Sequence, residues 1–424
     1  MYSDIIDFIK SLYPNQNPIP LHAPVFLGNE KKYLLDCIDS TFVSYVGKYV
    51  AKFEEMTAEF IGTKYAVAVV NGTAALQVAL QVSGVEKGDE VITQPLTFVA
   101  TANAISHCGA KPIFVDVDKD TMGISPVKLE DWLSKNTKFE KTTRLGETKW
   151  RRINISTNKP ISAIVPMHTF GFPCRIDEII EVANRYNIPV IEDSAESLGS
   201  YYLPREIVSS KNNTTKKDII SRSSPHEIEG KISQGRHTGT FGLAGVLSYN
   251  GNKTVTTGSG GMIITDDEEF AKKAKHITTT AKVTHKWEYI HDEVGYNYRM
   301  TNVTAAIGVA QMENFEKIIE NKRQTAEKYK QFFQSNQSAN QPIIDFILEP
   351  ANSFSNYWLN CVQFENREER NNFLEATNSN GVMTRPIWRL MNKLNMYKNC
   401  QTGNLDNSEW LEDRVVNIPS GYRI

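Results

Sequence analysis

The sequence has little of what a disulfide framework, a zinc site or a membrane segment requires. Its five cysteines are odd in number and scattered, and no two form a CxxC pair. This pattern argues against disulfides and structural zinc and favours a reducing compartment. No apolar run approaches the roughly 18 residues that cross a bilayer, and the acidic residues near the N-terminus argue against a secretory signal. We therefore expect a cytoplasmic protein that has no membrane partner.

The charge balance argues against a further class of partner. Lysine and arginine number 47 and aspartate and glutamate 49, a formal net charge of −2, so no long-range attraction draws the chain to nucleic acid. At 424 residues and 40% hydrophobic content, the chain can bury a large core but is long for a single one. We expect a large domain over 1–305 and a smaller one over 306–424.

Short apolar runs alternate with helical patterns between residues 65 and 267, which is typical of a parallel α/β sheet. From 307 to 334 the spacing predicts one long amphipathic helix, followed by a strand at 356–364 and a helix at 368–380. The C-terminal part therefore reads as α+β. The predicted strands of the large sheet, about seven in all, lie at 65–71, 90–94, 112–118, 161–168, 188–195, 245–250 and 261–267, with helices at 72–84 and 177–187.

Two polar stretches interrupt this pattern. Residues 203–234 are rich in Ser, Asn, Thr and Lys and lack periodicity, so we expect a long, exposed, mobile loop. It is either a tolerated surface insertion or a lid or partner contact, and the sequence leaves both open. Residues 138–156 form a second insertion, which we also expect to be a loop.

The turn between the first strand and its helix suits a phosphate. Gly72, Thr73 and Ala74 open the helix, where free backbone N–H groups and the helix dipole favour an anion. Turns of this kind are common, so a purely structural role stays open at this point.

An acid and a lysine follow at the ends of later strands. Asp193 ends an apolar strand, where α/β folds place ligands; it could bind a metal, a ribose or nothing, or hold a pyridine nitrogen protonated. Lys253 lies in a Thr/Gly-rich loop that does not match the P-loop pattern, and alone it could be an exposed loop lysine. Ser248, just before it, could offer a hydroxyl to a phosphate. Together with Phe98, these features come in the order that a pyridoxal-phosphate (PLP) enzyme needs.

The same motifs carry a family resemblance. In NGTAAL, TFVATANAI, VIEDSAESLGS, HTGTFG, SYNGNKTVTTGSGGMI, GYNYRMTNVTAAIG and RVVNIPSG the chain resembles the DegT/DnrJ/StrS family of PLP-dependent nucleotide-sugar aminotransferases. The likeness runs from about Phe26 to the C-terminus. It implies the fold-type-I (aspartate aminotransferase-like) architecture, with a seven-stranded, mostly parallel large sheet, a smaller α+β domain, and no metal.

The resemblance also implies roles for single residues. Lys253 would carry PLP as a Schiff base and move protons, and Asp193 would pair with the pyridinium nitrogen. Asn297 would reach the phosphate of a neighbouring subunit, which implies a homodimer with shared active sites; taken alone, it could be a turn residue. The other implied cofactor contacts are Glu196 at the phenolic oxygen, Phe98 and Ala195 on the two ring faces, and Gly72, Thr73, Ala74, Ser248 and Asn250 around the phosphate.

The substrate rests on family likeness alone. It implies glutamate as amino donor and a keto-sugar on a nucleoside diphosphate as acceptor, in bacterial surface-glycan biosynthesis. Within the family, the chain is most similar to the legionaminic-acid branch in the segments FVSYVGKYVAKFEE, NGNKTVTTGSGG and TRPIWRLMNKL. Enzymes of that branch aminate C4 of a 4-keto-6-deoxy-N-acetylhexosamine nucleotide. Arg385 and Trp388 either line the substrate or pack the C-terminal part. His168 either touches substrate or cofactor or is structural.

Three alternatives remain. A sugar dehydratase of the same fold would lack the lysine that this chain has. A non-catalytic PLP-binding regulator would be favoured by an added DNA-binding domain or a basic face. A PLP lyase or decarboxylase acting on amino acids is the third.

Overall fold

The computed structural model describes residues 2–144, 147–204, 235–335 and 344–424. The predicted insertion at 203–234 lies almost wholly outside these residues, so both of its interpretations stay open. In the described residues the α-helices are α1 (Ser3–Leu12), α2 (Glu30–Asp39), α3 (Lys48–Ile61), α4 (Gly72–Val82), α5 (Val99–His107), α6 (Pro126–Asn136), α7 (Ile176–Tyr186), α8 (Glu268–Thr278), α9 (Asn302–Met312), α10 (Phe315–Ser335), α11 (Arg367–Ser379) and α12 (Asp406–Glu412).

The strands divide between a large sheet, a smaller C-terminal sheet and short pairs. They are β1 (Tyr65–Val69), β2 (Glu90–Thr93), β3 (Lys111–Phe114), β4 (Thr137–Arg144), β5 (Glu147–Asn154), β6 (Ile161–Val165), β7 (Ile191–Asp193), β8 (Tyr201–Tyr202), β9 (Arg236–His237), β10 (Ala244–Ser248), β11 (Gly261–Thr265), β12 (Lys282–Val283), β13 (Ile290–His291), β14 (Ile344–Phe346), β15 (Ser353–Phe354), β16 (Asn360–Phe364), β17 (Arg385–Pro386) and β18 (Val415–Ile418).

The large sheet has the strand order β3-β2-β6-β7-β10-β11-β1. Parallel ladders join β3, β2 and β6, and another joins β7 to β10, whereas β11 runs antiparallel to β10 and β1. Single parallel bridges, Ile164 to Val190 and Met167 to Asp193, connect the two groups of strands. The predicted seven-stranded, mostly parallel α/β sheet is confirmed, and its carboxyl edge brings the ends of β7 and β10 together.

Helix α4 shows how the sequence fixes the geometry of this edge. Asn71 has extended backbone, and its side chain accepts a hydrogen bond from the N–H of Ala74 at 2.8 Å, which starts the helix. Small and branched apolar residues then follow with no β-branched run, and the helix is buried on the sheet among residues of β1, β10 and β11. Its N-terminus is thereby held beside the end of β10.

The segment at 138–156, predicted as a loop, forms an antiparallel pair of strands, β4 and β5. Phe139 and Trp150 lie on the same face of the pair and stack, with their ring centroids 5.2 Å apart. Arg152 lies over the ring of Phe139 and over that of Tyr186 on α7, which ties the pair to the domain. The loop prediction was wrong because these cross-strand contacts outweigh the polar composition.

The long helix predicted at 307–334 is two helices, α9 and α10. Between them the N–H of Asn314 bonds to the carbonyl of Gln311, three residues back. The Glu313 carboxylate accepts hydrogen bonds from Asn29 and Tyr33, which draws this turn toward α2. A tightened turn anchored by a long-range contact leaves little trace in the hydrophobic period.

The C-terminal sheet has the antiparallel order β14-β16-β18-β17 and packs on α11. Ile6 and Ile9 of α1 belong to the same core cluster, although the sequence prediction places α1 in the large domain. The division at residue 305 stays a proposal. Among the described residues, no helix combines the length and the apolar character that a bilayer span requires.

Candidate active site

Lys253 lies five residues beyond the end of β10, at the carboxyl edge of the large sheet. Its Nζ donates to Glu196 Oε1 at 3.0 Å and lies 4.0 Å from the ring centroid of Trp358. The side chain is 11% exposed. This is an enclosed amine held by a carboxylate and an aromatic face, and the structure excludes the freely exposed loop lysine.

Glu196 follows β7 and is buried. Its Oε2 accepts a hydrogen bond from the N–H of Phe170 at 2.9 Å, and its Oε1 accepts from Lys253. Burial raises the pKa of Glu196 to about 7, although the charge of Lys253 and the Phe170 N–H act in the opposite direction. The carboxyl group can therefore hold a proton near neutral pH.

Asp193 ends β7 and is also buried. Its Oδ2 accepts from the Thr101 hydroxyl at 2.7 Å and its Oδ1 from the N–H of Ala195 at 3.2 Å. Burial raises the pKa of Asp193, and the two hydrogen bonds and the charge of Lys253 oppose that rise. A cationic ring nitrogen placed against this carboxyl group would favour its ionised form.

Gly72 and Ser248 form a cradle at the start of α4. A Cβ on Gly72 would lie 2.9 Å from the Cβ of Ser248, so only glycine leaves room between α4 and the end of β10. The backbone N–H groups of Gly72 and Thr73 have no acceptor among the described residues, as expected for the first turn of a helix. Ala74, predicted to donate to a phosphate, donates its N–H to Asn71 instead.

The aromatic wall comprises Phe98 and Trp388. Phe98, just before α5, is 48% exposed, and its ring centroid lies 6.0 Å from that of Trp388, which in turn lies 4.6 Å from Phe170. Arg385 does not join this group, because its guanidinium donates to Asn378 Oδ1 and the Thr384 carbonyl.

His168 does not present a free nitrogen to a substrate. It is fully buried, its Nδ1 accepts from the N–H of Cys174 at 3.2 Å, and its Nε2 lies 3.0 Å from Glu192 Oε2. Since Nδ1 accepts, the ring proton lies on Nε2 and points at Glu192. The geometry favours the structural alternative for His168 over the substrate contact.

The remaining predicted residues occupy the edges of the site. Ala195 lies two residues after Asp193 and donates its N–H to the Asp193 carboxylate. Asn250 is exposed, donates its side-chain amide to Asn252 at 3.0 Å, and its N–H lies 3.4 Å from Ser248 Oγ. Asn297 is exposed, and its backbone pairs with Thr279 in a single bridge. Within the described part of the chain, its side chain makes no hydrogen bond or ion pair that would assign it a role in a single subunit.

Sequence reasoning missed three residues that contact this site. Asn71 and Thr101 lie in motifs that were recognised, and an asparagine before a helix is itself an N-cap signal. Trp358 had no such signal, because it lies just before β16, more than a hundred residues away from Lys253.

These residues fit pyridoxal phosphate. A phosphate can meet the free N–H groups of Gly72 and Thr73 and the Ser248 hydroxyl, an aromatic ring can cover Phe98, and a buried carboxyl group stands ready for a ring nitrogen. The enclosed amine of Lys253 supplies the group that binds an aldehyde.

Comparison with known proteins agrees with the geometry. The chain belongs to the DegT/DnrJ/EryC1/StrS aminotransferase family, whose profile matches residues 27–424. It is thus an aminotransferase, and the aminotransferases of this family depend on pyridoxal phosphate. The predicted family is confirmed.

Within this family, the chain is similar to individual sugar aminotransferases over nearly its whole length. The chain is 34% identical to GDP-perosamine synthase of Escherichia coli O157:H7 over 402 residues, 95% of this chain and 93% of the relative. It is 32% identical to GDP-perosamine synthase of Vibrio cholerae over 407 residues, 95% and 94% of the two chains. The crystal structure of the aminotransferase TlmJ from Streptoalloteichus hindustanus shares the fold, with a TM-score of 0.76 at 23% identity, and the match covers 95% of this chain and 93% of that one.

Proposed function

We propose that this protein transfers an amino group from glutamate to a 4-keto-6-deoxy sugar carried on a nucleoside diphosphate. The observation that carries the proposal is the enclosed amine of Lys253, which faces Glu196 and lies on the same sheet edge as Asp193 and the Gly72–Ser248 cradle. The reaction would take place in the cytoplasm, as a step in the biosynthesis of a bacterial surface glycan.

In this proposal, Lys253, Asp193 and Glu196 have different roles toward the cofactor. Bound pyridoxal phosphate supplies an electron sink for the carbon that gains or loses the amino group. Lys253 holds it and, when its amine is free, moves a proton to and from that carbon. Asp193 keeps the ring nitrogen protonated, and Glu196 meets the phenolic oxygen with a carboxyl group that carries a proton below about pH 7.

The cradle and the wall orient what is bound. Gly72, Thr73 and Ser248 hold the phosphate, assisted by the dipole of α4, and Phe98 covers one ring face. Trp388, next to Phe98, lines the space open to a sugar. With the acceptor fixed by its remote nucleotide, binding energy can bring the keto carbon to the amine.

The acceptor class is supported by the relatives. Two GDP-perosamine synthases match nearly the whole chain, which favours a nucleotide-linked sugar and makes GDP the first nucleotide to test. The wording of TRPIWRLMNKL and NGNKTVTTGSGG favours an N-acetylhexosamine of the legionaminic-acid branch. The proposal therefore names a 4-keto-6-deoxy-N-acetylhexosamine nucleotide as the preferred acceptor. A GDP-linked 4-keto-6-deoxy sugar, which the relatives favour, is the alternative acceptor to be tested beside it.

A homodimer is part of the proposal. Leu35 and Ile38 on α2 and Phe42 and Val46 after it are large apolar side chains left exposed in one chain. The exposed Asn297 would reach a phosphate only in a partner, as the family resemblance implies. A second copy of the chain would cover the exposed apolar side chains and would give Asn297 a phosphate to bind.

A substrate panel tests the function. The purified protein, loaded with pyridoxal phosphate, is incubated with glutamate and each of several 4-keto and 3-keto sugars on UDP, GDP or dTDP, and products are read by mass spectrometry. We expect an added amine on a 4-keto-6-deoxy sugar and formation of 2-oxoglutarate in equal amount. Lys253→Ala is expected to lower the rate by at least about a thousandfold.

The outcomes separate the alternatives. Loss of a hydroxyl from the sugar with no amine gained would indicate a dehydratase. Pyridoxal phosphate binding without turnover of any sugar would favour a regulator. A Lys253→Ala protein that still transaminates at the wild-type rate would remove the basis of the proposal.

A further inference from the structure

Trp358 lies outside the set of residues predicted from the sequence, yet it contacts the amine on which the proposed function rests. The ring centroid is 4.0 Å from Lys253 Nζ, well within the range of a cation–π contact. The tryptophan is 4% exposed, so its face is shielded from water on the side that meets the amine. A contact of this kind is stronger where solvent is excluded.

The ring is held from several directions. Its Nε1–H donates to the carbonyl of Asn252 at 2.7 Å, which ties the indole to the residue directly before Lys253. Its backbone carbonyl accepts from Nζ of Lys322, a buried lysine of α10, at 3.1 Å. The same Nζ donates to the Ser420 carbonyl at 2.8 Å and lies 3.1 Å from His22 Nε2. The indole ring of Trp358 is therefore held in one position beside the amine.

Asn356 connects Trp358 to Glu196, the other group that contacts the amine. Its Oδ1 accepts from the N–H of Trp358 at 2.8 Å, and its Nδ2 donates to the backbone carbonyl of Glu196 at 2.8 Å. A Cβ on Gly171 would lie 1.9 Å from Asn356 Oδ1, so the neighbouring turn leaves room for this amide only as glycine. The two groups that contact Lys253 Nζ are thus set at a fixed spacing.

We propose that Trp358 is a positioning residue for Lys253: with Glu196, it holds the amine of Lys253 whenever that amine is free. In this place the protonated amine lies between the aromatic face and the carboxylate, and it returns to the same point each time it takes or gives a proton. The inference rests on the proposed function, because a positioned free amine matters only if Lys253 does the chemistry.

The cofactor-free protein gives a direct test. The rate at which acetic anhydride modifies Lys253 at pH 8 is measured by peptide mass spectrometry, with the other lysines as internal references. Trp358→Leu removes the aromatic face, and we expect the rate at Lys253 to rise about fivefold because the protonated amine loses its contact. Trp358→Phe retains a face, and we expect a rise of about twofold or less.

Both substitutions open space beside the amine, so the difference between them reports chiefly the ring face. Trp287→Leu, at an exposed tryptophan, is the matched control and should leave the rate unchanged. If the leucine variant does not fold, Trp358→Met replaces it, since methionine fills irregular space without a ring face. Equal rates in the phenylalanine and leucine (or methionine) variants would overturn the inference.

A second reading uses the loaded enzyme and glutamate alone. Trp358→Leu should lower the maximal single-turnover rate at least about tenfold, while the glutamate concentration that gives half of that rate changes less than about twofold. Trp358→Phe should restore most of the rate. A rate lost equally in both variants would contradict a role for the ring face. If wild-type protein itself gave no reaction with glutamate, the proposed function would fail, whereas the labelling result would still stand for the position of the amine.

Discussion

Glu196 shows how a single residue is changed by its surroundings. Its carboxyl group is enclosed, and it meets Lys253 on one oxygen and the N–H of Phe170 on the other. Burial outweighs both partners and raises its pKa to about 7. In the proposed site, a proton held there at neutral pH would allow the group to donate to the phenolic oxygen of pyridoxal phosphate, where two anions would otherwise repel each other.

The raised pKa makes a stability prediction for the cofactor-free protein. Between pH about 4.5 and about 7 the folded protein keeps the Glu196 proton that the unfolded chain has lost. Stability contributed by this group therefore falls as pH rises through that window, by about 3 kcal/mol at most. Urea unfolding at pH 5, 6, 7 and 8 should show this loss in wild-type protein relative to Glu196→Gln, whose amide does not titrate.

Glu269→Gln is the control, because Glu269 is strongly exposed on α8. Its unfolding free energy should follow that of wild-type protein across the series. Parallel curves for wild-type protein and Glu196→Gln would show that Glu196 titrates in the folded state as it does in the unfolded chain.

At the scale of elements, the meeting of α4 with β10 creates the cradle. The helix begins where it does because Asn71 caps it, and it lies close to β10 because Gly72 has no side chain to separate them. Two N–H groups of the first turn are left for a ligand. The site for an anion thus follows from the packing of one helix on one strand.

Gly72→Ala tests this account of the cradle. The added methyl group would press on Ser248, and we expect pyridoxal phosphate binding to weaken about tenfold or more, the cost of one hydrogen bond to a charged group. Absorbance titration of the cofactor-free protein gives the dissociation constant. Gly403→Ala, where a Cβ meets its nearest atom at 3.5 Å, should bind as wild-type protein does. Equal affinity in the two variants would exclude Gly72 from the phosphate site.

At the scale of the whole molecule, the site joins parts of the chain that are far apart in sequence. The large sheet and helix α4 packed on it supply Asp193 and the Gly72–Ser248 cradle, whereas Trp358 and Trp388 come from the C-terminal part. Helix α1 is near the start of the sequence, yet it packs on the C-terminal sheet. The candidate site is therefore built from both parts of the chain.

The same distinction separates what could be predicted from what could not. The strands of the large sheet and the placement of Asp193 and Lys253 at its carboxyl edge could be predicted because apolar runs and short motifs are local signals. The β4–β5 pair, the break before α10 and the wall at Trp358 depend on contacts between distant residues. His168 lies at a strand end like Asp193, and only its partners Glu192 and Cys174 show that both of its nitrogens are used.

The central claim is that Lys253 is the lysine that binds pyridoxal phosphate covalently, and one measurement tests it most directly. The loaded protein is reduced with borohydride, digested and sequenced by mass spectrometry. The account predicts a pyridoxyl adduct on the peptide that contains Lys253, and none in Lys253→Ala. An adduct on another lysine, or a wild-type protein that binds the cofactor and yields no adduct, would contradict it.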